Sequence, residues 1–501
     1  KGRKLTSLNS NIKCGNSLID DPNVDGEKAF NWQKEFPNIF SKGGFDVIIG
    51  NPPWGAKIPK SQKDFVNSNY WCNKGEIETY VHFTELGISR LCKENGVLGF
   101  ITPNTWYYLD KYAKLRDNLM NKKIVELIEL EKRIFKDAPD IVPAVFILEN
   151  TLKSENQVIQ TYKLNKGIIP SFLVDNTIFK NYQIESNDWL KFESTPFNLS
   201  LTNNVASLLV KIKKGSVPLK TLYNVRYGIK TGNNKKYISN DKLNDNWKYC
   251  LPSASTVKKY QLNWEGHYLN FGNHLAGYSE NSFERPKILV QYIRKLSMPI
   301  RIISALDKEG KYYPLNNFSF IEENSNNDES LDFLIGILNS SLMNFYFKNV
   351  HIDYNIKPKY LEKLPIKIGL TEEIIELTTK IRSNYISYNS ILTNLLDLQS
   401  NKFNISKFPM KLKNWDRLKF GEFIKELEKV RKIVAKENKI EFNNLSLSEE
   451  AEWMQYFNEQ KVKAQILKTE IEKTEKEIDQ KVYELYDLTE NEIKIVENAN
   501  A

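Results

Sequence analysis

The chain is poor in cysteine: Cys14, Cys72, Cys92 and Cys250 are its only four in 501 residues. So few, so scattered thiols make no disulfide framework and no metal clamp, and they suit a reducing cytoplasm. No metal site is expected. No apolar run reaches the roughly 18 residues that a membrane-spanning helix needs, so neither a span nor a membrane partner is expected. A basic start followed by a short apolar stretch and a small-residue cleavage site is also missing, which excludes a secretory leader of that pattern. Lys1 stands where a start methionine would, and the chain is expected to be part of a longer product. No segment repeats, which removes solenoids and arrays.

What is present describes a globular chain. At 41% hydrophobic and 27% charged residues it can build two to four domains with a sizeable core. The net charge of +9 is compatible with a polyanionic partner without demonstrating one.

One stretch organises the rest. Phe45-Asp46-Val47-Ile48-Ile49-Gly50 rises from Gly43-Gly44 and ends in Asn51-Pro52-Pro53-Trp54. The apolar run reads as a buried parallel strand, apolar on both faces. Two prolines cannot continue a sheet, so the chain leaves at Asn51 as a stiff loop. In open α/β sheets, ligands sit beyond this end of the strands. Asn51 offers a carbonyl acceptor and an amide donor, and the prolines add carbonyls without N–H groups. Trp54 adds a flat π-face. This set suits a planar ring with an exocyclic amine. The Asn51 side-chain carbonyl and the Pro52 main-chain carbonyl can each take one amine N–H, which frees the nitrogen lone pair, while the ring stacks on Trp54. Adenine in DNA fits if it is flipped out of the duplex. A Pro-Pro turn over a core strand is the plainer reading of the same residues.

Asn51-Pro52-Pro53-Trp54 after a hydrophobic strand resembles the catalytic motif of the amino-group DNA methyltransferases, which make N6-methyladenine with S-adenosylmethionine. The resemblance extends along the chain. Asn11 to Ile19 reads as a short strand ending in a polar turn. In the family the matching position meets the cofactor's adenine, which implies Asn16, with Ser17 beside it, as cofactor-binding. Glu76 to Glu94 reads as an amphipathic helix with Ile77, Tyr80, Val81, Ile88 and Leu91 on one face and Asn95-Gly96 as its C-cap. Val97 to Thr102 follows as a strand stopped by Pro103-Asn104. A helix from Lys111 to Asn121 and strands at Ile124 to Leu130 and Val142 to Leu148 complete a doubly wound pattern. This order is that of the C-terminal half of the methyltransferase fold. The resemblance further implies that Phe135 stacks on the flipped adenine, sandwiching it with Trp54. The implied catalytic set is Asn51, Pro52, Pro53, Trp54 and Phe135.

Two features limit that set. Pro139-Asp140 resembles the start of a metal-dependent nuclease motif, but no acid two residues before a lysine follows it as far as Cys250, so a nuclease is rejected here. The Gly-rich turn that opens the family's cofactor half does not precede Asn11. The chain by itself is therefore expected to bind S-adenosylmethionine poorly and to be inactive alone, with the cofactor half or a nuclease domain as partner.

After Asn150, β-rich pieces alternate with Asn, Ser and Gly turns, with no helical period until Leu331. Val225 to Tyr237 gathers Arg226, Tyr227, Lys230, Thr231, Asn233, Lys235 and Lys236, side chains that can neutralise phosphates or meet base edges. Lys287 to Lys295 adds Gln291 and Arg294. The Gly228-to-Asn233 pattern, with Leu334 to Asn344 and Lys357 to Leu361, resembles the target-recognition domain of type IIG restriction–modification enzymes, which implies double-stranded DNA as partner. The remainder reads as helical: Thr371 to Leu398, Leu412 to Asn438, a start at Leu445 to Glu450, and Gln460 to Leu485 with Ile466, Ile471, Ile478 and Val482 as its stripe. Its charge runs read as solvated faces, on helices that brace the recognition domain and reach the DNA backbone.

The expected architecture is an α/β partial methyltransferase-type Rossmann-like fold over 1–155, an α+β target-recognition domain over 156–370, and a helical C-terminal region over 371–501. The expected function is the site-specific DNA adenine-N6 methyltransferase portion of a restriction–modification protein, a phage-defence role. The alternatives are a DNA-binding specificity module, a degenerate methyltransferase without catalysis, and an amino-methyltransferase acting on RNA or on a protein glutamine.

Overall fold

A computed structural model describes residues 11–56, 58–72, 78–164, 179–276, 283–295, 298–324 and 329–500. They divide into two compact units, Lys1–Lys211 with Asn349–Asp353, and Ile212–Lys348 with Tyr354–Ala501.

The first unit is a six-stranded mixed sheet. Its strands are β1 (Phe45–Gly50), β2 (Cys92–Pro103), β3 (Lys122–Glu129), β4 (Pro143–Leu152), β5 (Val158–Leu164) and β6 (Phe179–Glu185), in the order β1-β2-β4-β3-β5-β6. β1 with β2 and β3 with β5 are parallel. The other pairs are antiparallel, because the short return from Glu129 to Pro143 brings β4 back between β2 and β3. Helices α1 (Lys60–Asn69), α2 (Thr79–Leu86) and α3 (Ala113–Leu119) belong to this unit. Leu98 and Phe100 on β2, Ile124 and Leu127 on β3, and Phe146 and Leu148 on β4 form its buried centre.

Several expectations change here. Asn11 to Ile19 is no strand; a single parallel bridge joins Asn16 to Ala29. β1 is not buried on both faces: Val47 is 56% and Ile49 84% exposed. It is the edge of the sheet, with only β2 paired to it among the described residues. Of the expected helix over 76–94, Ile77 lies outside the described residues, α2 runs Thr79–Leu86 and continues as a π-helical turn over Gly87–Leu91, and β2 begins at Cys92. Asn95 caps no helix but takes a φ of 61° inside β2. Gly96 beside it has no room for a Cβ, which would sit 2.7 Å from Cys92 Sγ and 2.9 Å from the Phe45 carbonyl.

The expected boundary at 155 falls inside one sheet, since β5 and β6 extend it. The buried Arg116 guanidinium then clamps the chain beyond, donating to the carbonyls of Ser194 (2.7 Å), Thr195 (2.9 Å) and Trp106 (2.6 Å). Trp189 stacks on Phe197 at 4.4 Å between ring centres. A helix the sequence reading missed, α4 (Asn203–Lys213), buries Ala206, Leu208, Leu209 and Ile212.

The second unit holds β7 (Tyr223–Tyr227), β8 (Trp247–Leu251), β9 (Tyr268–Asn270), β10 (Lys287–Gln291), β11 (Ser304–Asp307) and β12 (Phe318–Glu323). One antiparallel sheet runs β11-β10-β12-β7, and β8 pairs with β9 in another. Cys250, Leu269, Leu289, Phe318 and Phe320 share one core. Helices α5 (Leu331–Asn339) and α6 (Ser341–Val350) meet the chain at and just before the edge strand β11 through amide side chains. Asn339 accepts from Ser304 N and donates to its carbonyl, both at 3.0 Å. Asn344 Oδ1 accepts from Arg301 N (2.8 Å) and Ile302 N (2.7 Å). These amides replace a neighbouring strand.

The helical region is not a separate third body. Helix α7 (Thr371–Phe403) packs so tightly on α5 that a Cβ at Gly336 would lie 2.7 Å from Ile374 Cγ2. Beyond it come α8 (Phe420–Asn438), α9 (Leu447–Leu485) and α10 (Glu490–Asn500). Ser446 caps α9 with Glu449 in a capping box, so the expected helix start and the later charged segment form one helix of 39 residues. Ile471, Ile478 and Val482 are buried as expected, while Ile466 is exposed. Among the described residues no helix is long and apolar enough to cross a membrane.

Candidate functional site

The loop after β1 is held from two sides. Thr79 Oγ1, at the start of α2, donates to the Pro53 carbonyl at 2.9 Å. The preceding Glu78 accepts from Gly55 N at 3.0 Å. Trp54 Nε1 donates to the Ile101 carbonyl of β2 at 3.4 Å. Pro52 is buried. Asn51 is exposed, and its side chain makes no hydrogen bond among the described residues, so carbonyl and amide both remain available. A rigid loop thus carries a free amide, with each fixed neighbour anchored to a named partner.

Phe135 comes to Trp54 as expected, but not as a second parallel plate. Their rings meet edge to face, 5.1 Å between centres and 85° between planes. No base fits between rings that touch each other, so the two-sided sandwich is absent from this arrangement, and one ring face at a time is offered. The Phe135 loop is closed by Arg133 N donating to the Pro139 carbonyl at 3.0 Å. Beside it, Asn104 at the end of β2 donates to Glu129 Oε2 at 2.9 Å and accepts from Tyr108 Oη at 3.2 Å. Glu78, Thr79 and Glu129 were not singled out from the sequence. The only available signal was a Glu-Thr pair ahead of an apolar helix.

Next to the loop lies a cavity of about 280 Å³ whose lining includes Asn16, Ser17, Pro53, Gln62, Thr79 and Phe83. Apolar walls with a few polar edges suit a flat heteroaromatic ring, and the volume is at the lower edge of ordinary ligand pockets. The Asn16 amide is partly used. It donates to Asp25 Oδ2 at 2.8 Å and accepts from Leu18 N at 3.2 Å, while Gln62 Nε2 holds the other Asp25 oxygen at 2.6 Å. Asn16 therefore shapes the turn and keeps one N–H for anything in the cavity. Asp25, the residue that orients it, went unnoticed in the sequence.

Helix α2, which braces the loop, is itself pinned from within. Glu85 is buried and accepts from Trp71 N (2.9 Å) and Cys72 N (3.0 Å). Burial pushes the Cys72 thiol well above its usual range, which removes it as a nucleophile. Burial also pulls the His82 imidazole down to about 4.

In the second unit the expected DNA-binding residues separate. Arg226 and Tyr227 are exposed on β7; Arg226 pairs with Glu322 at 3.5 Å, and Tyr227 Oη bonds to Tyr292 Oη. Lys230, Asn233, Lys235 and Lys236 are exposed on the following loop, where Thr231 bonds to Asn234 and Asn233 Oδ1 accepts from Lys236 N at 3.2 Å. Gly228 makes this turn possible: a Cβ there would lie 2.0 Å from the Leu315 carbonyl. Gln291 does not join this surface, and Arg294 is half-buried and spent on neighbours. Gln291 is buried and donates to the carbonyls of Ala254 (2.9 Å) and Val257 (2.6 Å). Arg294 donates to Gln291 Oε1 at 3.3 Å and to the Ile300 carbonyl at 2.7 Å. Gln291 builds the core, and Arg294 is held against it and its own segment.

Comparison with known proteins agrees with this division. Residues 1–135 match the family model of the Eco57I restriction-modification methylase, and 254–366 match the TaqI-like C-terminal specificity domain. Residues 369–482 match a domain of unknown function. The chain therefore joins a methyltransferase segment to a specificity domain. Among similar proteins, a protein of Methanocaldococcus jannaschii named as a type II restriction enzyme and methyltransferase is 26% identical over 71% of this chain and 30% of its own length. The type II restriction enzyme and methyltransferase RM.Eco57I of Escherichia coli is 28% identical over 48% of this chain and 24% of its own. The chain thus spans a third or less of these relatives. The type IIL restriction-modification enzyme MmeI, solved in complex with DNA, aligns with a TM-score of 0.45 at 11% identity, over 86% of this chain and 59% of that one.

Proposed function

We propose that the chain is the target-base and recognition portion of a site-specific DNA adenine-N6 methyltransferase within a restriction–modification protein. The observation that carries this reading is the loop. Asn51 is left without a side-chain partner among the described residues while Pro53, Trp54 and Gly55 beside it are each tied down. The first unit is read as the closing half of a methyltransferase-type Rossmann-like fold, and the surface around Lys230 to Lys236 as the DNA-reading side of the second.

Asn51 Oδ1 and the Pro52 carbonyl accept the two N–H groups of a flipped adenine's amine, which draws the lone pair out of conjugation with the ring. Trp54 supplies the stacking face, and Phe135 moves off its edge contact as the base enters. The cavity beside Pro53 suits the adenine end of S-adenosylmethionine: Pro53 and Phe83 can flank a ring, and Ser17, Gln62 and the spare N–H of Asn16 can meet its edges. When bound, that cofactor supplies an electrophilic methyl group. The cavity is nucleobase-sized, so the 501-residue chain alone is expected to hold the whole cofactor weakly and to transfer methyl groups poorly.

The test is methyl transfer to unmethylated DNA by the full reading frame beside Asn51→Ala, with mass spectrometry of the digested nucleosides. N6-methyladenine from the parent and at least a hundredfold less from the variant is expected, as for loss of one preorganised group at a reacting centre. DNA binding by both proteins with no methylated base from either would leave a recognition module instead.

A further inference from the structure

The segment from Lys402 to Lys439 carries twelve Lys and Arg against five Asp and Glu, a net +7 of the chain's +9. It lies inside the domain to which no function is attached. Helix α8 sorts this charge by face. Phe423, Ile424, Leu427 and Ala435 are buried, the first three in a core with Trp415 and Phe457. Lys425, Lys429, Lys432 and Lys436 recur at intervals of four, three and four residues. At about 100° per residue they fall within roughly 60° of one another, opposite the buried face. All four are exposed.

Internal pairing leaves most of this stripe unneutralised. Lys429 shares Glu426 with Lys411, each at 2.9 Å. The Lys432 ammonium lies 5.0 Å from the Phe442 ring centre. Lys425 and Lys436 have no ion-pair partner among the described residues. Of the other acids on α8, Glu422 accepts from Lys419 N at 2.9 Å, and Glu428 and Glu437 flank the stripe. A merely solvated face would carry mixed signs; this one concentrates one sign in a line.

We propose that this lysine stripe of α8 binds the phosphate backbone of duplex DNA and anchors the protein without regard to sequence. The inference rests on the reading of the chain as a DNA-acting protein. Lysine is a compact point charge that suits phosphates, and phosphate contacts set register and affinity rather than base choice. The stripe runs about 16 Å along the helix, the rise of about five phosphates on one strand at 3.4 Å each.

The test replaces Lys425, Lys429, Lys432 and Lys436 together by Gln, which keeps helix propensity, in the full reading frame. Binding to a random-sequence duplex is followed by fluorescence anisotropy from 50 to 200 mM salt, and methyl transfer is measured on the same preparations. Each phosphate-bound lysine adds about 0.9 to the slope of log affinity against log salt, so the variant's slope should be shallower by about 3 to 4. Over this fourfold salt range, the parent should then lose about a hundredfold more affinity than the variant. The corresponding Arg variant should keep the parent's slope. Equal slopes for parent and Gln variant, with the parent still binding and methylating DNA, would overturn the stripe alone. A parent that neither binds nor methylates duplex DNA would overturn the functional reading and the stripe with it.

Discussion

Thr79 makes one side-chain hydrogen bond to the loop, and that bond sets the Pro53 carbonyl next to the two groups read as amine acceptors. Losing a hydrogen bond of this kind costs about 1 kcal/mol, which as misplacement in a transition state is about fivefold in rate. Thr79→Val is expected to lower kcat about fivefold while leaving KM for DNA and the melting temperature nearly unchanged, with Thr79→Ser restoring the rate. Unaltered kcat in Thr79→Val would mean that the loop does not need this tie. At the residue scale the sequence was legible where chemistry is local. Asn-Pro-Pro-Trp announces acceptors, a stiff backbone and a ring whatever surrounds it. It was illegible where a polar side chain could be spent inside or offered outside. Gln291 and Arg294 sit in a basic-aromatic segment as interface residues would, yet Gln291 satisfies carbonyls in the core and the half-buried Arg294 is spent on Gln291 and the Ile300 carbonyl. Asn16 is likewise half spent on Asp25.

At the scale of elements, α2 is the support on which the loop rests, and it carries a pH dependence. His82 is buried against Tyr70, ring centres 5.4 Å apart, and burial lowers its pKa from an ordinary 6.5 to about 4. An unfolded chain takes up this proton first as pH falls. The stabilisation is therefore complete above about 6.5 and is lost as pH drops through 4, a total of roughly 3 kcal/mol. The melting temperature of the wild type should fall more between pH 7 and pH 4 than that of His82→Phe; parallel losses in the two proteins would contradict this role. Element identity was largely readable here, and element ends were not. Periodicity sees the apolar face of α2, but nothing local says that the helix widens to a π turn after Leu86 or that Asn95 bends a strand. Strand β1 reads as fully buried because Val47, Ile48 and Ile49 are apolar, whereas its exposure is decided by how many strands flank it.

On the scale of the whole molecule, two units replace the three expected divisions. The boundary expected at 155 was drawn where composition changes, but the sheet continues through β5 and β6, whose partners are distant in sequence. The helical region likewise shares a unit with the β-rich segment because Gly336 lets α7 close on α5. Long-range pairing of this kind leaves no mark in any one window of sequence. Charge does leave one. Most of the net positive charge sits in one stretch of the second unit, and a smaller basic loop spans Lys230 to Lys236. A methyltransferase segment and a specificity domain share one chain, with both basic features on the latter's unit, and the function proposed from this is to choose a DNA sequence and methylate an adenine within it. The most direct measurement is methylation-sensitive sequencing of chromosomal DNA from a host expressing the full reading frame or its Asn51→Ala variant. The account predicts N6-methyladenine at a single recurring sequence with the parent and none above background with the variant. Methylation without a shared sequence, or equal methylation with both proteins, would contradict it.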